Sequence, residues 1–489
     1  MTTDTVRAVQ HHIGGRWVGT AGGDTFDDLD PFTGDVVARV AAGTRAEAHQ
    51  AVAAAADAFP AWSRSAPAER QRVFLKAADI LESRRDDVVS WLARETGCGF
   101  GFGMFQMGFV PGLLRQAAGL AYAPIGQILP SDLPGAFAMG IRRPVGVVAA
   151  IAPWNAALIL SARSLSAPLA AGNTVVLKPS EESPYVGGAL WAEIFAEAGL
   201  PDGVLNVVTH GPGAAGAIAD EFVESPHVRR INFTGSTATG RKLAEAAGRN
   251  LKRVVLELGG FNPLIVLADA DAQYAVEAAA FGAFLHQGQI CMSARRVIVE
   301  RPIADRFLEG LSKKTAGLST GDPRNPGTII GPLINAHALE TVRRRVDEAV
   351  AGGARVLAGG KVVDRCYQAT LITDVPPDSE LAQVETFGPV LAVEVVDSPD
   401  QAVERANATR YGLAAGIFTA DADRAMAMAD RLEAGIVHIN DQPVHDEPQM
   451  PFGGVKDSGW GRFGGTFAMD EFTELRWITV QNEPRHFPF

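Results

Sequence analysis

Cys291 lies in Gln287-Gly288-Gln289-Ile290-Cys291-Met292-Ser293, just after an Ala-rich helical pattern and just before a strand-like run. A cysteine at an element boundary, flanked by glycine and polar residues, differs from a core cysteine and admits nucleophilic chemistry, although most single cysteines are inert thiols. Cys98, between Gly97 and Gly99, and Cys366 have no comparable setting and read as structural. His286 stands five residues before Cys291 and offers a Cys–His pairing as an alternative, though nearness in sequence does not establish contact. Asn155 follows a strand in Pro153-Trp154-Asn155, Glu257 ends one in Glu257-Leu258-Gly259-Gly260, and Glu385 sits in Glu385-Thr386-Phe387-Gly388-Pro389.

A second group of residues has the types needed to hold a nucleotide. A literal G-x-G-x-x-G occurs once, as Gly211-Pro212-Gly213-Ala214-Ala215-Gly216, after a strand and before a helix. Pro212 inside the turn, and the lack of an acidic residue about 20 positions on at a second strand end, weigh against it. A broader constellation lies at strand ends. Thr174–Leu177 runs into Lys178-Pro179-Ser180-Glu181, where a cation and an acceptor can bracket ribose hydroxyls. Val228–Phe233 runs into Thr234-Gly235-Ser236-Thr237-Ala238-Thr239-Gly240-Arg241. There, free N–H groups and the helix dipole can receive a phosphate. The same residues also fit an ordinary N-cap, worth about 1 kcal/mol.

The elements that must position these residues follow two grammars. Helical, Ala-rich stretches cover Arg45–Phe59 and Pro67–Arg94; the glycine cluster Gly97–Gly112 reads as a loop or poorly periodic connection. Ala123–Gly140 has no helical period and reads as a surface excursion, a hairpin or arm. From Ile141 short β-branched runs alternate with helices, the signature of βαβ units and a covered parallel sheet. The pattern restarts after Glu257–Asn262, so the class is α/β with two lobes and one or two excursions.

Composition bounds the rest. At 489 residues, 47% hydrophobic and 20% charged, the chain can bury a large core in about three domains. Lys+Arg 44 against Asp+Glu 56 leaves a formal charge of -12, which argues against a nucleic-acid partner. No apolar run approaches a membrane span, and Met1-Thr2-Thr3-Asp4 lacks the basic and apolar regions of a signal peptide. Three scattered cysteines suit a reducing, cytoplasmic setting. The ten histidines include no H-E-x-x-H and no cysteine pair has zinc spacing, so no metal is expected.

Taken together the chain resembles the NAD(P)-dependent aldehyde dehydrogenases. Pro153-Trp154-Asn155, Lys178-Pro179-Ser180-Glu181, Phe233-Thr234-Gly235-Ser236, Glu257-Leu258-Gly259-Gly260, Gly288-Gln289-Ile290-Cys291, Glu385-Thr386-Phe387-Gly388-Pro389 and Pro451-Phe452-Gly453-Gly454-Val455-Lys456 match the family's motifs in its order. The resemblance implies a Rossmann-like NAD-binding domain (1–122 and 141–256), an α/β catalytic domain (257–457) and a small β oligomerisation arm (123–140 and 473–489). It implies Cys291 as nucleophile, forming a thiohemiacetal and then a thioester in an environment that favours ionisation. Asn155 and the Cys291 N–H would form the oxyanion hole, and Glu257 would be the deacylation base. Lys178 and Glu181 would meet the adenine ribose, Gly235 and Ser236 the pyrophosphate, and Glu385 and Phe387 the nicotinamide ribose and ring. Pro153, Trp154, Leu258 and Gly211 complete the expected cofactor set. Glu181 would repel a 2′-phosphate, favouring NAD, with NADP possible.

The stretch from Asn440 to Met450, and Ala156-Ala157-Leu158-Ile159-Leu160, are similar to the branch acting on aromatic aldehydes such as vanillin, benzaldehyde and salicylaldehyde. The implied pocket of Ala156, Leu158, Ile159, Ile290, Met292 and Phe452 suits a planar ring. Arg163 either meets a ring hydroxyl or methoxy group or is a helix-surface cation. The family's arm implies a homodimer or homotetramer. Alternatives are an aliphatic aldehyde or semialdehyde as substrate, a CoA-acylating enzyme, a Cys–His hydrolase and a non-catalytic crystallin-type role.

Overall fold

Apolar strands buried on both faces organise the protein, whose computed structural model describes residues 6–489. The reading of Met1-Thr2-Thr3-Asp4 therefore falls outside the described residues. One sheet runs in the order Gly459–Trp460, Arg253–Glu257, Val228–Thr234, Val147–Ile151, Thr174–Lys178, Leu205–Val207, His11–Ile13, Arg16–Val18. Five of its six inner strands are parallel, and His11–Ile13 is antiparallel. Successive side chains point to opposite faces, so Val148 and Ala150 pack with the helix Ala157–Ala170 while Val147, Ala149 and Ile151 pack with the helix Arg45–Trp62. Covering both faces explains why these strands read as continuous apolar runs.

The chain lays down Val147–Ile151, Thr174–Lys178 and Leu205–Val207 in one direction, then returns to place Val228–Thr234 and Arg253–Glu257 on the other side. Order reverses between Val147–Ile151 and Val228–Thr234, the place where open parallel sheets form a crevice at their carboxyl ends. A second sheet runs Arg355–Ala358, Thr370–Thr373, Val390–Val396, Ala294–Glu300, Asn262–Val266, Ala414–Phe418, Ile436–Ile439, all parallel except the first. The link Leu258–Phe261 joins the sheets, and Gly459–Trp460 returns to the first sheet to pair antiparallel with Leu256 and Glu257.

The excursion is a hairpin of Gly126–Leu129 and Ala136–Pro144, and Thr473–Gln481 joins it antiparallel, from Thr473 opposite Pro144 to Gln481 opposite Ala136. Its face carries Leu475 and Trp477, 65% and 82% exposed.

Gly97–Gly112 is not a loop. Phe100–Leu120 is one helix, packed on Pro67–Ser83 and Ala157–Ala170. Glycine costs a helix about 1 kcal/mol per residue relative to alanine, and burial of Phe102, Met107, Val110, Leu113 and Leu114 offsets that. An apolar surface on nearly every side hides the 3.6-residue period. Among the described residues no helix is long and apolar enough to cross a membrane.

Candidate active site

Four parallel strands bring their last residues level at the crevice. Ile151 is in register with Lys178 on one side and Phe233 on the other, and Thr234 is in register with Glu257. A cavity of about 650 Å³ there is lined by Ile151–Trp154, Lys178, Ser180, Glu181 and Phe233–Ser236. A second, about 520 Å³, shares Pro153, Trp154 and Thr234–Ser236 and reaches Asn155, Glu257, Leu258, Cys291, Glu385 and Phe387. The two form one crevice between the sheets.

Ser236 caps the helix Thr237–Arg249, its side chain accepting from Thr239 N, so both readings of this segment coexist: an N-cap whose helix start also faces the cavity. Lys178 is buried, and burial lowers its ammonium to about 8. Glu181 sits half-exposed at the rim, accepting from Ser180 Oγ at 3.3 Å. Of the Gly-rich turn, only Ala215 and Gly216 reach the cavity wall. Gly211 packs against Phe26 and Ala42 instead, because Thr209 is tied to the Ala41 carbonyl and holds the turn over that neighbour.

Cys291 belongs to the bend between Leu285–Gly288 and the strand Ala294–Glu300. His286, Gln287 and Gly288 all have positive φ (49°, 55° and 68°). A Cβ on Gly288 would meet the Gly388 carbonyl oxygen at 2.3 Å, so only glycine fits that bend. Distant side chains hold it. Asn262 Nδ2 donates to the carbonyls of Cys291 and Ser293 at 2.8 and 2.9 Å. Arg295, fully buried, donates to those of Gly288, Ile290 and Gly388. Gln287 Nε2 donates to the Gly97 and Pro332 carbonyls. Sequence reasoning missed all three clamps; their one signal was polar side chains inside apolar strand or bend patterns.

Asn155 Nδ2 donates to the Gln289 carbonyl at 3.0 Å, which orients the amide beside Cys291. Glu257 is buried, with the Cys291 thiol as its hydrogen-bonding neighbour. Burial raises it to about 7. Burial, and next the Glu257 charge, push the Cys291 thiol well above its ordinary value. The expected ionising environment is thus corrected: without substrate the sulfur is held as a thiol beside a carboxyl that holds its proton less tightly. Glu385 Oε1 accepts from Gly260 N at 3.2 Å, and burial raises this acid too, to about 7. Phe387, at φ 51°, meets Trp154 edge-on at 5.6 Å.

His286 makes no hydrogen bond to Cys291. Its buried ring stacks on Phe102 at 4.8 Å, and burial lowers it to about 3, with the Asn155 backbone drawing it partly back. A ring of such low proton affinity, with no bond to the sulfur, is a poor base for a Cys–His pair. Ala156, Leu158, Ile159, Ile290, Met292 and Phe452 fall in one buried cluster against which Cys291 packs. Arg163 is not on a helix surface: it is 6% exposed, ion-paired with Asp446, and its guanidinium lies 4.0 Å from the Phe452 ring centroid. The helix Ala157–Ala170 is buried on all sides, so the cation needs the Asp446 charge. Cys98 is fully buried and Cys366 is buried away from the crevice. Among the described residues no cluster of metal-ligating side chains occurs.

The arrangement places a thiol, an amide donor and a proton-accepting carboxyl around one point, with a dinucleotide-sized crevice beside it. The profile of the Aldehyde dehydrogenase family matches residues 17–478. The chain is 47% identical over 476 residues to a vanillin dehydrogenase of Pseudomonas fluorescens, covering 97% of this chain and 98% of the relative. It is 44% identical over 474 residues to a benzaldehyde dehydrogenase [NAD(+)] of Pseudomonas putida, covering 97% and 96%. A solved salicylaldehyde dehydrogenase from Pseudomonas putida G7, complexed with salicylaldehyde, superposes with a TM-score of 0.96 at 40% identity, covering 99% and 100%.

Proposed function

The chain belongs to the aldehyde dehydrogenase family, an oxidoreductase class, and from that premise we propose that it oxidises an aromatic aldehyde to its carboxylic acid with NAD. The observation that carries the reading is the convergence of Cys291, Glu257 and Asn155 on one cavity from three separate element ends. NAD fits the residues present: the start of the helix Thr237–Arg249 offers N–H groups for a pyrophosphate, and Val223, Leu243 and Ala246 form an apolar wall for a flat base. When bound, NAD supplies the hydride acceptor.

Cys291 passes its proton to Glu257 and attacks the aldehyde carbon, giving a thiohemiacetal. Asn155 Nδ2 and the Cys291 N–H are aimed at the oxygen as its charge develops. Loss of hydride leaves a thioester on Cys291. Glu257, once it has released that first proton to solvent, takes a proton from water, which attacks the thioester carbon; the acid leaves and Glu257 returns the proton to the sulfur. A carboxyl raised toward neutrality is a stronger base than an ordinary carboxylate, which suits both duties. Lys178 and Glu181 address the adenine ribose, Glu385 and Phe387 the nicotinamide end, and Glu181 disfavours a 2′-phosphate. Comparing turnover at equal subsaturating NAD and NADP tests that preference; a clear NADP preference overturns it.

The relatives' named activities support a planar aromatic ring as substrate. A panel of aromatic and aliphatic aldehydes with NAD tests this, and a higher kcat/KM for the aliphatic members overturns it. Glu257 favours water over CoA as the thioester acceptor, so NADH formation is expected to be independent of CoA. The exposed Leu475, Trp477 and Val480 support a homodimer or homotetramer built on the arm. A nucleophile that must stay a free thiol supports a cytoplasmic location.

A further inference from the structure

The Gly-rich turn bears on the cofactor crevice through the residue before it. His210 is 1% exposed. Its Nε2 lies 2.5 Å from Lys178 Nζ and its Nδ1 lies 2.9 Å from the Gly211 carbonyl oxygen. An ammonium only donates and a carbonyl only accepts. One arrangement satisfies both neighbours: Nδ1 carries the proton and donates to Gly211, while Nε2 accepts from Lys178. The ring is neutral there, since burial and then the Lys178 charge lower it to about 4.

Lys178 Nζ also donates to the Pro179 carbonyl at 3.1 Å. Two of its three N–H bonds thus go to groups fixed in the fold, and the third is left for the cavity that Lys178 lines. Glu181 Oε2 stands 3.7 Å from His210 Nε2. Without the imidazole acceptor, that carboxylate, whose charge already acts on Lys178, is a partner to which a long, flexible ammonium can turn. We infer that His210 is a positioning residue that aims Lys178 at the vicinal hydroxyls of a nucleoside ribose, with the Gly211 carbonyl selecting the ring tautomer. The inference rests on the proposed reading of Lys178 as a ribose ligand. It also gives the G-x-G-x-x-G turn a role other than cradling phosphate.

The test is calorimetric titration of the full-length enzyme with ADP-ribose, and with an analogue lacking both hydroxyls of the adenosine ribose. Lys178→Met is expected to weaken ADP-ribose by about tenfold or more, the worth of a hydrogen bond to a charged group. His210→Leu is expected to weaken ADP-ribose about tenfold and the deoxygenated analogue less than about twofold. His210→Gln, whose amide oxygen can occupy the Nε2 position, is expected to stay within about threefold. His210→Asn reaches only the Nδ1 position and is expected to behave like His210→Leu, which keeps the test alive should the leucine variant not fold. Wild-type affinity in both His210→Leu and His210→Asn, with Lys178→Met impaired, overturns the inference; so does equal weakening of both ligands. Wild-type affinity in Lys178→Met overturns the ribose reading of Lys178, and the inference with it.

Discussion

Replacing Glu257 by glutamine separates the electrostatic cost of this residue from its chemical use. Burial raises the carboxyl from its ordinary 4.5 to about 7, Cys291 and Arg163 draw it back, and Glu385 and Asp446 push it further up. An acid whose folded pKa exceeds its unfolded value stabilises the fold fully below the unfolded pKa and loses that contribution as pH rises to the folded one. The window is pH 4.5 to 7, and a shift of that size corresponds to about 3 kcal/mol. For a chain of 489 residues, at about 2.1 cal/mol/K per residue, that is a melting shift of about 3 °C. Glutamine is neutral throughout, and whatever its amide loses in packing does not vary with pH. The melting temperature of Glu257→Gln relative to the wild type is therefore expected to rise by about 3 °C between pH 5 and 8.5. Scanning calorimetry of both proteins across that range measures it. The same carboxylate must be ionised to activate water, so the wild-type steady-state rate falls about tenfold per pH unit below 7. Stopped-flow absorbance of Glu257→Gln is expected to show an NADH burst of about one per site, formed more slowly than in the wild type because Cys291 has lost its proton acceptor, then turnover slowed about 10²–10⁴-fold. A melting difference that does not change with pH refutes the raised pKa, and a full steady-state rate refutes the role in deacylation.

Asn155→Ala is expected to lower kcat/KM about 10²–10³-fold while leaving NADH affinity, read by fluorescence titration, unchanged. Arg163→Leu leaves the buried Asp446 carboxylate unpaired and is expected to cost about 3–5 kcal/mol of stability, recovered when Asp446→Leu is added; urea melts of the single and double variants decide. If Arg163 also meets ring substituents, kcat/KM for hydroxylated benzaldehydes drops more than for benzaldehyde, whereas an equal drop confines it to holding the Asp446 loop. Trp477→Glu places a charge on the exposed face of the Thr473–Gln481 strand and is expected to give a smaller species by light scattering than the wild type.

The sequence by itself determined the class of fold and the placement of Lys178, Ser236 and Glu257 where strands end. Both are local properties: β-branched runs, glycines and caps constrain φ and ψ over a few residues, and a parallel strand buried on both faces announces itself as an apolar run. It also singled out Cys291, because a bend rich in glycine and polar groups is visible without knowing its neighbours. It misled at Phe100–Leu120, where tertiary burial overrode the propensity of five glycines. Only the tertiary structure decided who holds whom. Arg163 finds Asp446 across 283 positions, Asn262 reaches the Cys291 carbonyl and the Ala414 N–H, and His210 meets Lys178 across 32. Such partnerships follow from the packing of two sheets on one link and from the need of every buried polar group for a partner. Spacing along the chain carries no record of either, whereas the chemistry of the crevice depends on both.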